Sequence, residues 1–150
     1  MIETFQPLIA AATGLDLTEP EKAKSELVKR FDPRGAAALA LNAELVKLLE
    51  AGKIADRGEM PVKYGRVAKA TDATSNFSID VVLMNGPGPH HRHPQGEVNY
   101  CIALDGAPRF DGEPAGWVVM PPGSGHVPTV SQGKMLIVYL LPQGQIEFTR

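Results

Sequence analysis

The chain has 150 residues, of which 43% are hydrophobic and 21% charged, so it is long enough to bury one substantial core and is typical of a single globular domain. Its formal net charge of −2 provides no basic surface, and we therefore predict neither nucleic acid nor membrane lipid as a partner. The single cysteine, Cys101, excludes a disulfide within the chain and fits a reducing compartment.

The N-terminal residues do not resemble an export signal. Glu3 stands where a secretory leader has basic residues, and the apolar run 8–12 is too short for the core of such a leader. No apolar run approaches the ~20 residues that span a membrane. We therefore expect a cytoplasmic protein.

Residues 1 to about 55 are predicted to be helical. Thr18-Glu19-Pro20-Glu21 has the pattern of a capping box in which Thr18 is the N-cap of a helix. Leu27 and Phe31 follow at helical spacing, and Asp32-Pro33 is expected to end this helix and to cap the next one.

A second helical stripe leads to Gly52, the expected C′ residue, and consists of Ala38, Leu41, Leu45, Leu48 and Leu49. We expect segment 1–55 to pack against the rest of the chain rather than to form a domain of its own. It would either cover an open face of a barrel or form a dimer contact.

After residue 60 the hydrophobic period changes to two, which indicates strands. Segment 134–141 is so apolar that both of its faces are expected to be buried. Trp117 and Phe110 are predicted to belong to the core. Many short strands joined by Gly, Pro and Asp turns are typical of a sandwich or barrel. The predicted strands are 62–69, 76–84, 97–104, 116–120, 127–130, 134–141 and 145–149.

One loop rich in Pro and Gly contains metal-ligand chemistry, because three of the four histidines lie in four consecutive positions there. On an extended segment His91 and His93 point the same way, and Glu97 shares their parity. His126 occupies a second turn-rich stretch. Three imidazoles and one carboxylate can bind one divalent transition metal and leave positions for water or substrate. His90 breaks the parity, and we predict that it is not a ligand.

Parity along the strand after this loop predicts which side chains face the metal. Asn99 and Cys101 share the parity of Glu97 and are predicted to line the substrate site, where Cys101 is interpreted as a small apolar residue rather than a reactive thiol. Arg109 is predicted to bind a substrate carboxylate, because its planar guanidinium matches two carboxylate oxygens; the alternative is a surface arginine. Arg92 should point away from the metal and form a salt bridge that holds the loop.

These motifs resemble two known patterns. His91-x-His93-x3-Glu97 is similar to the first cupin motif, and Gly116-x4-Pro121-x-Gly123-x2-His126 is similar to the second, with one residue fewer than usual. Together with segments 89–97, 109–117, 122–130 and 140–148 and the helical leader, they resemble the small cupin-type 4-hydroxylaminobenzoate lyases of nitroaromatic degradation. The resemblance implies a mainly β fold, a cupin-type double-stranded β-helix or jelly roll barrel over residues 56–150, with residues 1–55 as a helical segment packed on it in one domain.

The resemblance also implies an activity. The expected enzyme is a carbon–nitrogen lyase that converts 4-hydroxylaminobenzoate to 3,4-dihydroxybenzoate and ammonia, with one divalent metal (Fe, Mn, Zn or Ni) and no organic cofactor. Two alternatives stay open, namely a cupin dioxygenase or isomerase acting on another small aromatic or polar acid, and a non-catalytic metal-dependent sensor of a small ligand. Edge strands and the amphipathic leader predict a homodimer. The sequence assigns no catalytic proton donor.

Overall fold

A computed structural model describes residues 1–149. Within this range, helices α1 (Ile2–Ala12), α2 (Pro20–Arg30) and α3 (Ala36–Glu50) precede the strands, and none of them is long and apolar enough to cross a bilayer. A short 3-10 helix covers Asp72–Thr74. The strands are β1 (Arg57–Glu59), β2 (Val62–Ala68), β3 (Phe77–Met84), β4 (His91–His93), β5 (Glu97–Phe110), β6 (Gly116–Met120), β7 (Ser124–His126), β8 (Val130–Pro142) and β9 (Glu147–Phe148).

The strands form two antiparallel sheets. The large sheet has the order β1-β2-β3-β8-β5-β6, and the small sheet has the order β7-β4-β9. Strands far apart in the chain are neighbours, since β3 pairs with β8 and β4 pairs with β7. This pairing of early with late strands across two sheets is the jelly roll arrangement. The predicted mainly β cupin-type fold with an N-terminal helical segment is confirmed.

The central strand β8 is buried on both faces, as predicted. Leu136, Val138 and Leu140 belong to a hydrophobic cluster shared with the helices. The alternating residues Ile137 and Tyr139 belong to a second cluster on the opposite face, which the small sheet covers. Side chains alternate along a strand, so a strand in the middle of the large sheet needs apolar residues at nearly every position.

The helices cover the outer face of the large sheet. Phe5, Leu27 and Leu45, one from each helix, have 0% exposure in the outer cluster. Burying each such side chain contributes about 1.5–3 kcal/mol. Trp117 is buried on the sheet, as predicted, and its Nε1 donates to the carbonyl of Phe31 at 2.9 Å. The helical segment and the barrel therefore share one core.

The predicted start of α2 is wrong. Thr18 does not cap the helix; its hydroxyl and amide both donate to Oδ1 of Asp16, at 2.6 and 2.9 Å. The N-cap is Glu19, without a side-chain cap hydrogen bond. An aspartate two residues earlier competes for the same donors by forming a local turn, and such turns are not visible in the capping pattern alone.

The predicted N-cap of α3 is wrong, whereas its predicted C′ residue is confirmed. Asp32 does not cap α3, because its Oδ1 accepts the amide of Arg34 at 2.9 Å and the N-cap is Gly35. At the other end Gly52 is confirmed as the C′ residue. It has φ +70°, and the amide of Lys53 donates to the carbonyl of Leu48 at 3.0 Å.

Several strand boundaries also differ from the prediction, and β1, β4 and β7 were not predicted as strands. Strand β5 continues to Phe110, beyond the expected end at residue 104, with register shifts along its pairing to β8. Gly106 permits one of these shifts, since an added Cβ would lie 2.6 Å from the carbonyl oxygen of Gln132. The predicted strand 127–130 is absent from the described residues, where β7 ends at His126 and β8 begins at Val130. Pro128 lacks the amide hydrogen that a continuous ladder requires.

Candidate metal centre

Both sheets contribute ligands to one cluster. On β4, His91 and His93 point inward, whereas Arg92 points outward and its Nη1 contacts Glu147 Oε1 at 2.8 Å, so the predicted salt bridge is confirmed. Antiparallel pairing places His126 of β7 directly opposite His91. Glu97 begins β5 on the large sheet. The chain reaches it through Gly96, which has φ +87° and whose added Cβ would lie 2.9 Å from the carbonyl oxygen of Met120.

The four predicted ligands lie close together, with one candidate ligand atom from each residue and all four atoms within 4.8 Å of one another. The Nε2 atoms of His91 and His126 are 3.0 Å apart. Oε2 of Glu97 lies 3.1 Å from Nε2 of His93 and 3.8 Å from Nε2 of His91. The structure thus brings together a group of three imidazoles and one carboxylate that was predicted from two separate motifs.

The donor set fits a transition metal. Nε2 of His93 and Oε2 of Glu97 are buried and have no hydrogen-bond partner. A buried carboxylate oxygen without a partner is costly, and a bound cation would stabilise these atoms. Nitrogen and carboxylate oxygen ligands suit zinc, iron, manganese and nickel. The cluster could therefore hold one such ion.

Hydrogen bonds from outside the cluster orient two of the imidazoles. Nδ1 of His93 donates to Oγ of Ser124 at 3.2 Å, and that hydroxyl donates to the carbonyl of Pro121 at 2.6 Å. Nδ1 of His126 donates to Oδ2 of Asp111. A proton on Nδ1 leaves the lone pair of Nε2 free, and Nε2 is the atom directed into the cluster.

Asp111 is a functional residue that the sequence reasoning missed. Its Oδ1 accepts the amide of Thr129 at 2.9 Å while Oδ2 holds His126, so the carboxylate bridges two segments. Asp111 has φ +49°, a conformation typical of a turn. In the sequence the Asp111-Gly112 pair indicated only a turn, and no local pattern connects it to a histidine 15 residues later.

The electrostatics of the cluster favour the metal-binding form of His91. Burial lowers the pKa of His91 to about 4; Glu97 opposes this shift, and His126 and His93 reinforce it. His91 is therefore neutral at physiological pH. A neutral imidazole offers the lone pair that a metal ion needs.

Of the side chains predicted to line the substrate site, Asn99 contacts the cluster, but neither Asn99 nor Cys101 lies on the wall of the cavity beside it. Nδ2 of Asn99 donates to Oε1 of Glu97 at 2.7 Å, which leaves Oε2 of Glu97 for a metal. Oδ1 of Asn99 is buried without a partner. Cys101 is buried in the inner hydrophobic cluster, where burial raises the pKa of its thiol well above the usual range, so the thiol stays protonated.

A cavity of about 600 Å³ opens beside the cluster, with His91 on its wall. Most of the wall is apolar or aromatic and includes Val62, Tyr64, Met84, Tyr139, Leu141 and Phe148. Arg109 does not line this cavity; it is exposed, and its Nη1 donates to the carbonyl of Gly112 at 3.1 Å. The arginines on the wall are Arg57 and Arg66. His90 is exposed and contacts Thr149, away from the ligand set as expected.

Comparison with known proteins extends these observations. A family described as PnbB, 4-hydroxylaminobenzoate lyase, matches residues 8–148. A 4-hydroxylaminobenzoate lyase from Pseudomonas putida is 32% identical over 102 residues, covering 57% of this chain and 58% of that protein. One from Nocardioides sp. (strain LMS-CY) is 31% identical over 94 residues, covering 57% of this chain and 56% of that protein. The chain thus aligns with somewhat more than half the length of these curated relatives.

Solved structures are more distant. An RmlC-like cupin protein from Ralstonia eutropha JMP134 has a TM-score of 0.43 and 12% identity, covering 61% of this chain and 62% of that one. An oxalate decarboxylase has a TM-score of 0.46 and 13% identity, covering 64% of this chain and 31% of that one. These two likenesses concern the fold alone.

The family match, over residues 8–148, spans nearly the whole sequence and includes both motifs that supply the cluster. The chain therefore belongs to the 4-hydroxylaminobenzoate lyase family.

Proposed function

We propose that this chain is a metal-dependent lyase that converts 4-hydroxylaminobenzoate to 3,4-dihydroxybenzoate and ammonia. The observation that carries the proposal is the buried cluster of three histidines and Glu97, whose unpaired ligand atoms lie beside an apolar cavity. The names of its relatives support this reaction over others available to such a cluster.

The protein's own contribution begins with the ligands. His91, His93, Glu97 and His126 would hold one divalent ion, which supplies Lewis acidity when bound. Asn99 fixes Glu97 through the hydrogen bond to Oε1, and we assign it a positioning role for that ligand. Cys101 would serve as part of the apolar packing beneath the site rather than as a nucleophile.

The cavity suits an aromatic ring. Its wall combines flat rings, among them Tyr64 and Phe148, with aliphatic side chains. The ring of Phe148 lies 5.8 Å from the ring of His91, so an aromatic substrate packed near Phe148 would lie beside the cluster. Apolar and aromatic side chains are the usual lining of a site that binds a small aromatic ligand.

The proposed reaction is balanced and needs no external oxidant. The N–O bond breaks with its electron pair on oxygen, and this oxygen takes a proton and leaves as water. One water adds to the ring carbon next to the one that bears nitrogen, and a second water hydrolyses the resulting imine and releases ammonia. The net reaction consumes one water. It therefore requires a proton donor in the cavity and controlled access of water.

Tyr139 is our candidate for that proton donor. Its side chain lines the cavity and is only 5% exposed. Its hydroxyl contacts Sδ of Met84 at 3.8 Å, and a thioether is a weak acceptor. Burial raises the pKa of Tyr139 well above its usual value, so the phenol is a weak acid that would donate only to a strongly basic atom such as the oxygen leaving from the N–O bond. A phenol without a strong acceptor has its hydrogen available for a substrate oxygen.

The direct test is anaerobic turnover. Metal-free protein is reloaded separately with Fe(II), Mn(II), Zn(II) or Ni(II) and incubated with 4-hydroxylaminobenzoate. We expect ammonia and 3,4-dihydroxybenzoate in equal amounts with at least one metal. H91A should lose the activity, whereas H90A, which changes an exposed neighbour in the same loop, should retain it. No product with any metal would refute the lyase proposal, and Fe(II)-dependent oxygen consumption in air would instead favour a dioxygenase.

A further inference from the structure

The charged groups on the cavity wall do not cancel. Arg66 is matched by Asp80, since its Nε and Nη2 lie 2.8 and 3.2 Å from the two carboxylate oxygens. Asp80 also accepts the hydroxyl of Ser78 at 3.2 Å. Among residues 1–149, the arginines in ion pairs are Arg30, Arg34, Arg66 and Arg92, and Arg57 is not one of them. Among the described residues, the wall therefore carries one guanidinium that forms no ion pair.

The position of Arg57 relates it to an aromatic ligand. Arg57 lies on β1, directly opposite Tyr64 on β2. Both residues line the cavity, and directly opposite residues of an antiparallel pair project from the same face of the sheet. β1 is an edge strand of the large sheet, whereas His91 lies on β4 of the small sheet. Arg57 and His91 thus lie on different sheets at the wall of one cavity.

We propose that Arg57 binds the carboxylate of an aromatic acid and so directs the opposite end of the ring to the cluster. A guanidinium donates two parallel hydrogen bonds to a carboxylate, which fixes orientation as well as charge. Which end of the substrate reacts at the cluster rests on the proposed function. Binding of the aromatic acid by Arg57 can be measured without turnover. Arg57, and not Arg109, then decides that the site selects aromatic acids over neutral aromatic compounds.

The test compares two unreactive ligands of the same shape. 4-Aminobenzoate carries the carboxylate, and 4-aminobenzamide replaces it with a neutral amide. Binding of each ligand to the metal-loaded protein is measured by titration calorimetry at neutral pH. Because Arg57 is solvent-accessible, we expect the unchanged protein to prefer the acid by about tenfold.

Three variants separate the two arginines. R57A should lose the preference for the acid while binding the amide as before. R57K should keep part of it, because lysine retains the charge but not the planar fork. R109A is the matched control, an exposed arginine off the cavity wall, and should behave like the unchanged protein. Arg57 is exposed on an edge strand, so R57A should fold; thermal midpoint and metal content verify this, and R57Q replaces it if they change.

The proposal is overturned if R57A keeps the preference for the acid, if R109A loses it, or if the unchanged protein shows none. Ammonia release is measured in parallel and distinguishes the two proposals. If R57A loses the preference for the acid but the unchanged protein releases no ammonia, the lyase reaction is refuted and the role of Arg57 in carboxylate binding is supported. If R57A releases ammonia with the same KM as the unchanged protein, the role of Arg57 is refuted and the lyase reaction stands.

Discussion

The outer face of the large sheet packs against three helices, whereas its inner face encloses the ligand cluster and the cavity. Polar atoms on the outer face are paired, as in the hydrogen bond from Tyr100 Oη to Asn42 Oδ1 at 2.8 Å. On the inner face, Oε2 of Glu97 and Oδ1 of Asn99 are buried without partners. Adjacent residues of one strand, β5, therefore contribute to the core on one side and to the candidate metal centre on the other.

The substitution with the largest expected effect is E97Q, which removes the charge of a ligand at nearly constant shape. Metal affinity should fall by more than the roughly 100-fold that is typical when a partner outside the ligand set is lost. The metal-free protein should become no less stable, because the variant no longer buries an unpaired carboxylate. Metal competition with a chelator and urea unfolding measure the two effects. If the metal-free variant is markedly less stable than the metal-free unchanged protein, Glu97 contributes to the stability of the fold and the contrast between the outer and inner faces is wrong.

Replacing Tyr139 tests the inner face without touching a metal ligand. Y139F should lower kcat by about 100-fold or more and leave KM and metal content unchanged, because the ring remains and only the proton donor is lost. The other tyrosine on the cavity wall provides the control, and Y64F should keep most of the activity. An unchanged kcat in Y139F would remove Tyr139 from the mechanism.

Asp111 is expected to act through His126. D111N keeps the size of the side chain but weakens the hydrogen bond that sets the tautomer of His126, so metal affinity should fall by about 10- to 100-fold. D111E, which keeps the carboxylate on a longer stem, should recover part of the affinity. If D111N binds metal as tightly as the unchanged protein, Asp111 stabilises only the turn after β5 and does not orient His126.

On the outer face, W117F should reduce stability and spare the metal. It removes the hydrogen bond to the carbonyl of Phe31 and leaves that partly buried acceptor without its partner, at a cost of about 1 kcal/mol or more in the free energy of unfolding. Metal affinity of the folded variant should be unchanged. Urea unfolding and chelator competition check both results, and a loss of metal affinity would mean that the two faces are coupled.

The effect that is smallest at neutral pH is that of protonation, which appears only in acid. The pKa of His91 is about 4 in the folded protein and about 6.5 as its ordinary value, so protonation favours the unfolded chain between these values. The free energy of unfolding of the metal-free protein should therefore be insensitive to His91 above pH 6.5 and fall as the pH drops from 6.5 toward 4. Urea unfolding at several pH values measures this dependence. H91Q should flatten it, and H90Q, at an exposed position, should not.

Local sequence patterns predicted much of this molecule, because they depend on neighbours in the chain. The period of two explains why His91, His93 and Glu97 share one side and why Arg92 faces away. The same period separated Asn99 and Cys101 from the residues that face the helices. Backbone geometry imposes these relations wherever the segment is extended, so they hold without knowledge of the tertiary fold.

Contacts between distant segments were decided only by the tertiary structure. His126 meets His91 because β7 pairs with β4 in one register, and Asp111 reaches His126 because β5 extends beyond its expected end. Arg109 matched the chemistry of a carboxylate anchor as well as Arg57 does, yet only Arg57 lies on the cavity wall. Sequence by itself determined which residue types could bind a metal and which of them share a face of a strand. Strand pairing decided which of these residues meet, because register depends on the packing of the whole barrel rather than on any short segment.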